Sequence, residues 1–221
     1  MISRLRFLLL LSLVACLSAA EPAAAPRTVV VFGDSITDGG TLPKEQRDQA
    51  WVRVTERESK GQLVVVNEGK PGRPSDSVGE FRAMLTRRPH IDLLAIALGT
   101  NDSRDVSGRC VPKAVANVRQ MISAAREKNS ALAIVLLGPP NIRKDALGPT
   151  KPIADQREAN LRALGAAFAA LAKETHCDYL ETFGAIPEAS LTKDGVHPDA
   201  AGHAALAKVI LPKLLESAKK N

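Results

Sequence analysis

Five short runs of apolar, mostly β-branched residues recur along the chain, at residues 27–32, 63–66, 91–98, 132–137 and 177–180. The first four stop at Gly33, Asn67, Gly99 and Gly138. Such runs read as strands, and because they are apolar throughout rather than alternating, both faces of their sheet must be covered. The segments between them carry apolar residues at helical spacing. Residues 49–60 do so through Trp51, Val52 and Val54, and residues 75–88 through Val78, Phe81, Met84 and Leu85, with Ser75 placed to cap the helix. Residues 111–128, the alanine-rich stretch 155–174 and residues 198–217 complete the set. This alternation predicts the α/β class: a three-layer α/β/α sandwich around a five-stranded parallel sheet. Ligands of such sheets gather outside the carboxyl ends of the strands, so functional residues are sought there.

A length of 221 residues suits one domain. With 24% charged and 45% hydrophobic residues the chain is neither disordered nor collagen-like. Its seven aromatic residues are too few for the stacking rows of a single-strand nucleic-acid binder. The basic residues are scattered, with Arg87-Arg88, Arg143-Lys144 and Lys219-Lys220 the only doublets beyond the N-terminus, so no nucleic acid is expected as a partner. No Cys-x-x-Cys and no His-x-x-x-His spacing occurs, and neither a metal nor a cofactor is called for.

The N-terminus reads as a leader. Arg4 and Arg6 precede an apolar run from Phe7 to Leu17, and Ser18-Ala19-Ala20 offers small residues before a cut at Glu21. The run is well short of the roughly 20 residues that span a bilayer. The expected division is a signal peptide at 1–20, a linker at 21–26, one folded domain at 27–217 and a tail at 218–221. The chain is therefore expected to be exported, to the periplasm or the extracellular space. Leu13-Val14-Ala15-Cys16 also resembles a lipoprotein box, and lipidation of Cys16 is the one route to a membrane that the sequence offers. Cys110 and Cys177, at opposite ends of their strands, are expected to stay unpaired, because the roughly 17–20 Å length of a strand exceeds disulfide reach.

The first three strand ends and the stretch before the last helix carry residues able to do chemistry. After the first comes Gly33-Asp34-Ser35-Ile36-Thr37, and after the second Asn67 and Gly72. The third is followed by Gly99-Thr100-Asn101-Asp102, and Asp194-Gly195-Val196-His197-Pro198 precedes the last helix. A serine in a turn, a glycine in a loop or an Asp-x-x-His is each common by itself. The first block is neither the G-x-S-x-G elbow nor a phosphate loop. Together and in this order, the four resemble the blocks of the SGNH (GDSL-like) hydrolases, over Val29 to about Leu211.

The resemblance implies a flavodoxin-like SGNH hydrolase fold and a serine esterase. It implies Ser35 as nucleophile, His197 as its base and Asp194 as the group that orients the imidazole. The oxyanion donors it implies are the backbone N–H groups of Ser35 and Gly72 and the side-chain amide of Asn101. Asp34 and Asp102 are read as acceptors that brace their loops, and His203 as a residue packed on the last helix. His90 and His176 precede strands and lie away from the chemistry. Arg73 is left open between a substrate contact and a solvated loop charge. The loops 37–48, 103–109 and 141–151 are mostly polar, without an aromatic residue. They favour a short acyl group, acetyl foremost, on a carbohydrate or another polar alcohol. The opposing reading lets Leu42, Ile142 and Leu147 line a groove for longer chains, as in a lysophospholipase or thioesterase. A non-catalytic carbohydrate-binding relative is the remaining alternative.

Overall fold

The computed structural model describes residues 25–220; the leader and the Cys16 box lie outside the described residues. Strands β1 (Arg27–Gly33), β2 (Leu63–Gly69), β3 (Leu93–Ala97), β4 (Ala133–Leu137) and β5 (Asp178–Leu180) form one sheet in the order β2-β1-β3-β4-β5, every pair parallel. The helices are α1 (Ser35–Asp38), α2 (Trp51–Glu58), α3 (Val78–Arg87), α4 (Cys110–Lys128), α5 (Ala154–Glu174) and α6 (Ala200–Ala218).

The period of two along each strand sorts the core into two layers. Val30 and Phe32 of β1, with Leu94, Ile96, Ile134 and Leu136, face α3, α4 and α5 through Phe81, Met121 and Phe168. Val29 and Val31, with Leu93, Ala95, Val135 and Leu137, face α2 and α6 through Trp51, Leu206 and Ile210. All four of Val29, Val30, Val31 and Phe32 are completely buried, each stabilising the fold by roughly 1.5–3 kcal/mol. The expected three-layer sandwich is the observed one.

The chain departs from β1 toward β2 on one side and returns to β3 on the other. The connections at the carboxyl ends of β1 and β3 therefore diverge and leave a crevice between them. Most element ends shift by one to three residues from the sequence reading, and two helix starts show how. Helix α3 starts at Val78, after Ser77, so Ser75 is not its cap. Ser75 is buried instead, its N–H and hydroxyl both donating to the Asp102 carboxylate at 3.0 and 2.5 Å. Helix α6 starts at Ala200 and is capped by Asp199, whose carboxylate accepts from the Gly202 N–H. Cys110 and Cys177 are both free, and burial pushes the Cys110 thiol up to about 11.

Candidate active site

Ser35 opens α1 at the carboxyl end of β1. Asp34 caps this four-residue turn, its carboxylate accepting from the Ile36 N–H at 3.0 Å, which fixes the serine at the sheet edge. Asp34 is itself almost fully buried. Burial raises its carboxyl to about 6, against the pull of the Ile36 N–H and the Thr100 hydroxyl.

The histidine arrives from the other end of the chain. His197 Nε2 lies 2.9 Å from Ser35 Oγ, and its Nδ1 lies 2.6 Å from Asp194 Oδ2. The second Asp194 oxygen accepts from Thr192 Oγ1 and from the N–H groups of Val196 and His197, at 2.8–3.0 Å. Partial burial pushes the Asp194 carboxyl up, but these donors together with the imidazole outweigh it and hold the group at about 2. An ionised Asp194 keeps the proton on Nδ1, leaving the Nε2 lone pair directed at the serine hydroxyl. Such a line can draw the proton from Oγ as oxygen attacks a carbonyl carbon.

No strand or α-helix carries this Asp–His turn, which lies between β5 and α6. The connection from β4 to α5 holds it. The Arg143 N–H donates to the Gly195 carbonyl at 2.8 Å, and the Arg143 guanidinium donates to the carbonyls of Glu188, Leu191 and Thr192 at 3.2–3.4 Å. Gly195 has φ +71°, and a Cβ there would come within 2.4 Å of the Arg143 carbonyl oxygen. Glycine alone accepts both the left-handed backbone and the close approach. Ile142, Leu147, Leu161 and Val196 form a small apolar cluster beneath, separate from the two main layers.

Three donors were expected to serve an oxyanion. Within the described residues the backbone N–H groups of Ser35 and Gly72 make no hydrogen bond. Gly72 has φ +74°, a conformation that any side chain would strain. The Asn101 side-chain amide donates one N–H to the Arg73 carbonyl at 3.1 Å, which sets it beside Gly72 with its second N–H to spare.

The sequence model of the GDSL-like Lipase/Acylhydrolase family matches residues 31–205, which include every one of these groups. The chain belongs to that family. It is an SGNH-type serine hydrolase, a carboxylic ester hydrolase. A GDSL lipase of Mycobacterium tuberculosis is 29% identical over 192 residues, spanning 83% of this chain and 80% of that protein. Among solved structures, a carbohydrate acetylesterase family member from Sinorhizobium meliloti superimposes with a TM-score of 0.75 at 20% identity, over 87% of this chain and 99% of that one. The native aryl esterase of M. smegmatis gives 0.72 at 20% identity, over 86% and 99%. At these identities the structural likeness is one of fold.

Other residues of this GDSL-like hydrolase settle into supporting places. Asp102 braces the Ser75 loop as described, and burial pushes its carboxyl up. His203 is buried on α6, its Nδ1 accepting from the Trp51 N–H at 3.2 Å; burial lowers it to about 4, so it is neutral near pH 7. Arg73 fits neither reading left open for it. Its guanidinium is buried over the Phe32 ring at 4.0 Å, donates to the carbonyls of Gly33 and Glu68, and pairs with Glu80 at 3.2 Å. It ties the Gly72 loop to the strand that bears Ser35. The sequence reading passed over Arg143 altogether. A lone arginine in a polar loop carries no local sign that four carbonyls will converge on it.

Leu42, Ile142 and Leu147 do turn inward, but into the core, at 5% exposure or less. Behind Ser35 a cavity of about 20 Å³, bordered by Asp34, Ile36, Trp51, Thr100 and Leu206, has room for about one water and not for an alkyl chain. Among the described residues no cluster of three His, Cys, Asp or Glu side chains is placed to hold a metal ion.

Proposed function

We propose that this hydrolase cleaves short-chain esters, acetyl esters foremost, of carbohydrates or other polar alcohols, through an acyl-enzyme on Ser35. Ser35 Oγ attacks the carbonyl carbon while His197 Nε2 takes its proton. The carbonyl oxygen becomes an oxyanion held by the N–H groups of Ser35 and Gly72 and the Asn101 amide. The bond from carbon to the alcohol oxygen then breaks, and His197 returns its proton to the departing alkoxide. Water, deprotonated in turn by His197, attacks the acyl-Ser35 carbon, the bond from that carbon to Ser35 Oγ breaks, and His197 returns the proton to Oγ as the acid leaves. Asp194 keeps the imidazole in the productive tautomer and stabilises the imidazolium. Each oxyanion donor is expected to supply roughly 2.7–4 kcal/mol.

The observation that carries the acyl-length reading is the apolar surface of the rim. The large hydrophobic residues exposed among the described residues are Val64, Val106 and Val209, and Val106 alone belongs to the loops 37–48, 103–109 and 141–151. A long acyl chain gains about 0.8 kcal/mol for each methylene it buries, and one valine provides little to bury it against. The test is a panel of p-nitrophenyl esters from acetate to palmitate, with acetylated glycans alongside. We expect kcat/KM to be highest at acetate or propionate and to fall beyond butyrate. A steady rise to octanoate or longer would assign a lysophospholipase-like or thioesterase-like role instead. The leader at 1–20 supports export of the enzyme to act on such substrates outside the cytoplasm, with anchorage through Cys16 as the second route; N-terminal sequencing of the mature chain decides between a start at Glu21 and a blocked Cys16.

A further inference from the structure

The turn that carries Asn101 rests on helix α5. Two polar side chains, one turn apart on that helix, reach it. Asn160 Nδ2 donates to the carbonyls of Ser103 and Asp105, each at 3.0 Å. Arg157 donates from Nε to Ser103 Oγ at 3.2 Å, from Nη2 to the Thr100 carbonyl at 3.4 Å and from Nη1 to Thr150 Oγ1 at 2.9 Å. Ser103 Oγ in turn donates to the Thr100 carbonyl at 2.7 Å. The guanidinium thus grips the turn on both sides of Asn101.

Arg157 is 1% exposed, and every partner it has is neutral. No carboxylate lies within ion-pair distance of it among the described residues. The charges that act on it are Arg104, which repels it, and Asp194, which attracts it from beyond contact. Burial lowers the guanidinium to about 10, which leaves it a cation at neutral pH. A buried charge with no carboxylate in contact is an unfavourable arrangement, and a neutral glutamine or methionine would fill the same space without that penalty. The other buried arginine of the site, Arg73, has its carboxylate in Glu80.

A further negative charge appears during the reaction. We propose that Arg157 is a positioning residue of the oxyanion hole whose charge, unpaired by any contact carboxylate and set beneath the Asn101 turn, favours the oxyanion over the neutral ester. It touches no reacting atom. It acts through the turn it holds and through a field that weak internal screening leaves strong. The inference rests on the proposed role of Asn101 as an oxyanion donor.

Three variants test it, measured on p-nitrophenyl acetate. Asn101→Ala comes first and is expected to lower kcat about 10²–10³-fold at constant KM. Should it leave kcat unchanged, the oxyanion assignment itself fails, and this inference with it. Arg157→Gln removes the charge and keeps hydrogen-bonding capacity, whereas Arg157→Lys keeps the charge and loses the planar fork. We expect kcat to fall about 10²-fold in Arg157→Gln and about tenfold in Arg157→Lys, with KM unchanged in both. In the Asn101→Ala background Arg157→Gln should still lower kcat, because the field outlives the amide. A purely structural arginine predicts the reverse: Lys as damaging as Gln or more so, or losses that track the fall in thermal midpoint and vanish on cooling. Either result, or a change confined to KM, overturns the proposal while leaving the hydrolase reading in place. If Arg157→Gln does not fold, Thr150→Val weakens the grip on Arg157 from the side away from Asn101. It must then lower kcat at constant KM, and an unchanged kcat counts against the proposal.

Discussion

The proposed nucleophile and its proposed base stand on opposite kinds of scaffold. Ser35 follows directly on a strand whose central residues are completely buried between two apolar layers, in a turn closed by its own aspartate cap. His197 stands in a segment without strand or α-helix, held by the Arg143 clamp, the Gly195 contact and a cluster of four buried apolar residues. Hydrophobic burial fixes the position of one group, and hydrogen bonds to backbone carbonyls fix that of the other. A protein built this way should lose stability and activity at different places.

The largest effect treats both halves alike, since neither group is of use without the other. Ser35→Ala and His197→Ala are each expected to lower kcat by roughly 10⁴–10⁶-fold with the circular dichroism spectrum unchanged. A His197→Ala enzyme within tenfold of the parent would remove the histidine from the mechanism and leave the comparison without its second term.

The next pair separates the halves. Gly195→Ala forces a Cβ against the Arg143 carbonyl and shifts the turn that bears His197, and a displacement near 1 Å costs about 10²-fold in rate. We expect that loss in kcat with only a small drop in thermal midpoint. Leu94→Ala, in the layer facing α3, α4 and α5, should do the opposite: about 2–5 kcal/mol of stability lost by denaturant titration, with kcat of the folded enzyme within a few-fold. If both variants lose activity and stability in parallel, the two scaffolds are one cooperative unit.

The smallest effect concerns Asp34, beneath the nucleophile. Its folded-state carboxyl titrates at about 6, above the ordinary 3.8, so the folded protein binds the proton more tightly than the unfolded chain. Its contribution is present in full below pH 4 and is lost as pH rises to and through 6. Asp34→Asn keeps the oxygen that caps Ile36 and removes the titration. Relative to the parent, the variant should gain about 3 kcal/mol between pH 4 and pH 7.5, read as the difference of two denaturation series. A constant difference across that range would mean that the carboxylate pays no penalty for its burial.

The same contrast explains what the sequence disclosed. The strand ends were legible because an apolar run that stops at a glycine is a local signal, and four blocks fell at such ends or before the last helix. Ser75 misled because its hydroxyl has two ways to be satisfied. A cap at its own helix looked sufficient, but the carboxylate of Asp102, brought up by pairing of β1 with β3, took the bond. Arg73, Arg143 and Arg157 were opaque for one reason. Each is held by carbonyl or hydroxyl oxygens that come mostly from segments distant in the chain, and an arginine in a sequence gives no sign of which oxygens will surround it. The polar loops were read correctly as poor in exposed apolar surface, but not for their buried leucines and isoleucine, which pack under the loops rather than along the mouth.

The strand order also sets the sequence in which a growing chain can acquire these properties. β1 is the first strand made, yet it lies inside the sheet, and its neighbours are β2 and β3. Synthesis must pass Gly69 before one flank of Val29–Phe32 is paired, and Ala97 before both are. Until then this wholly apolar segment is a strand with open edges, the condition under which chains aggregate. The face of β1 that carries Val29 and Val31 waits longer still, for Leu206 and Ile210 of α6. His197 is made just before that helix, so the nascent protein holds its proposed nucleophile for some 160 residues before it holds its proposed base. Ester hydrolysis is the last property this chain gains as it is made.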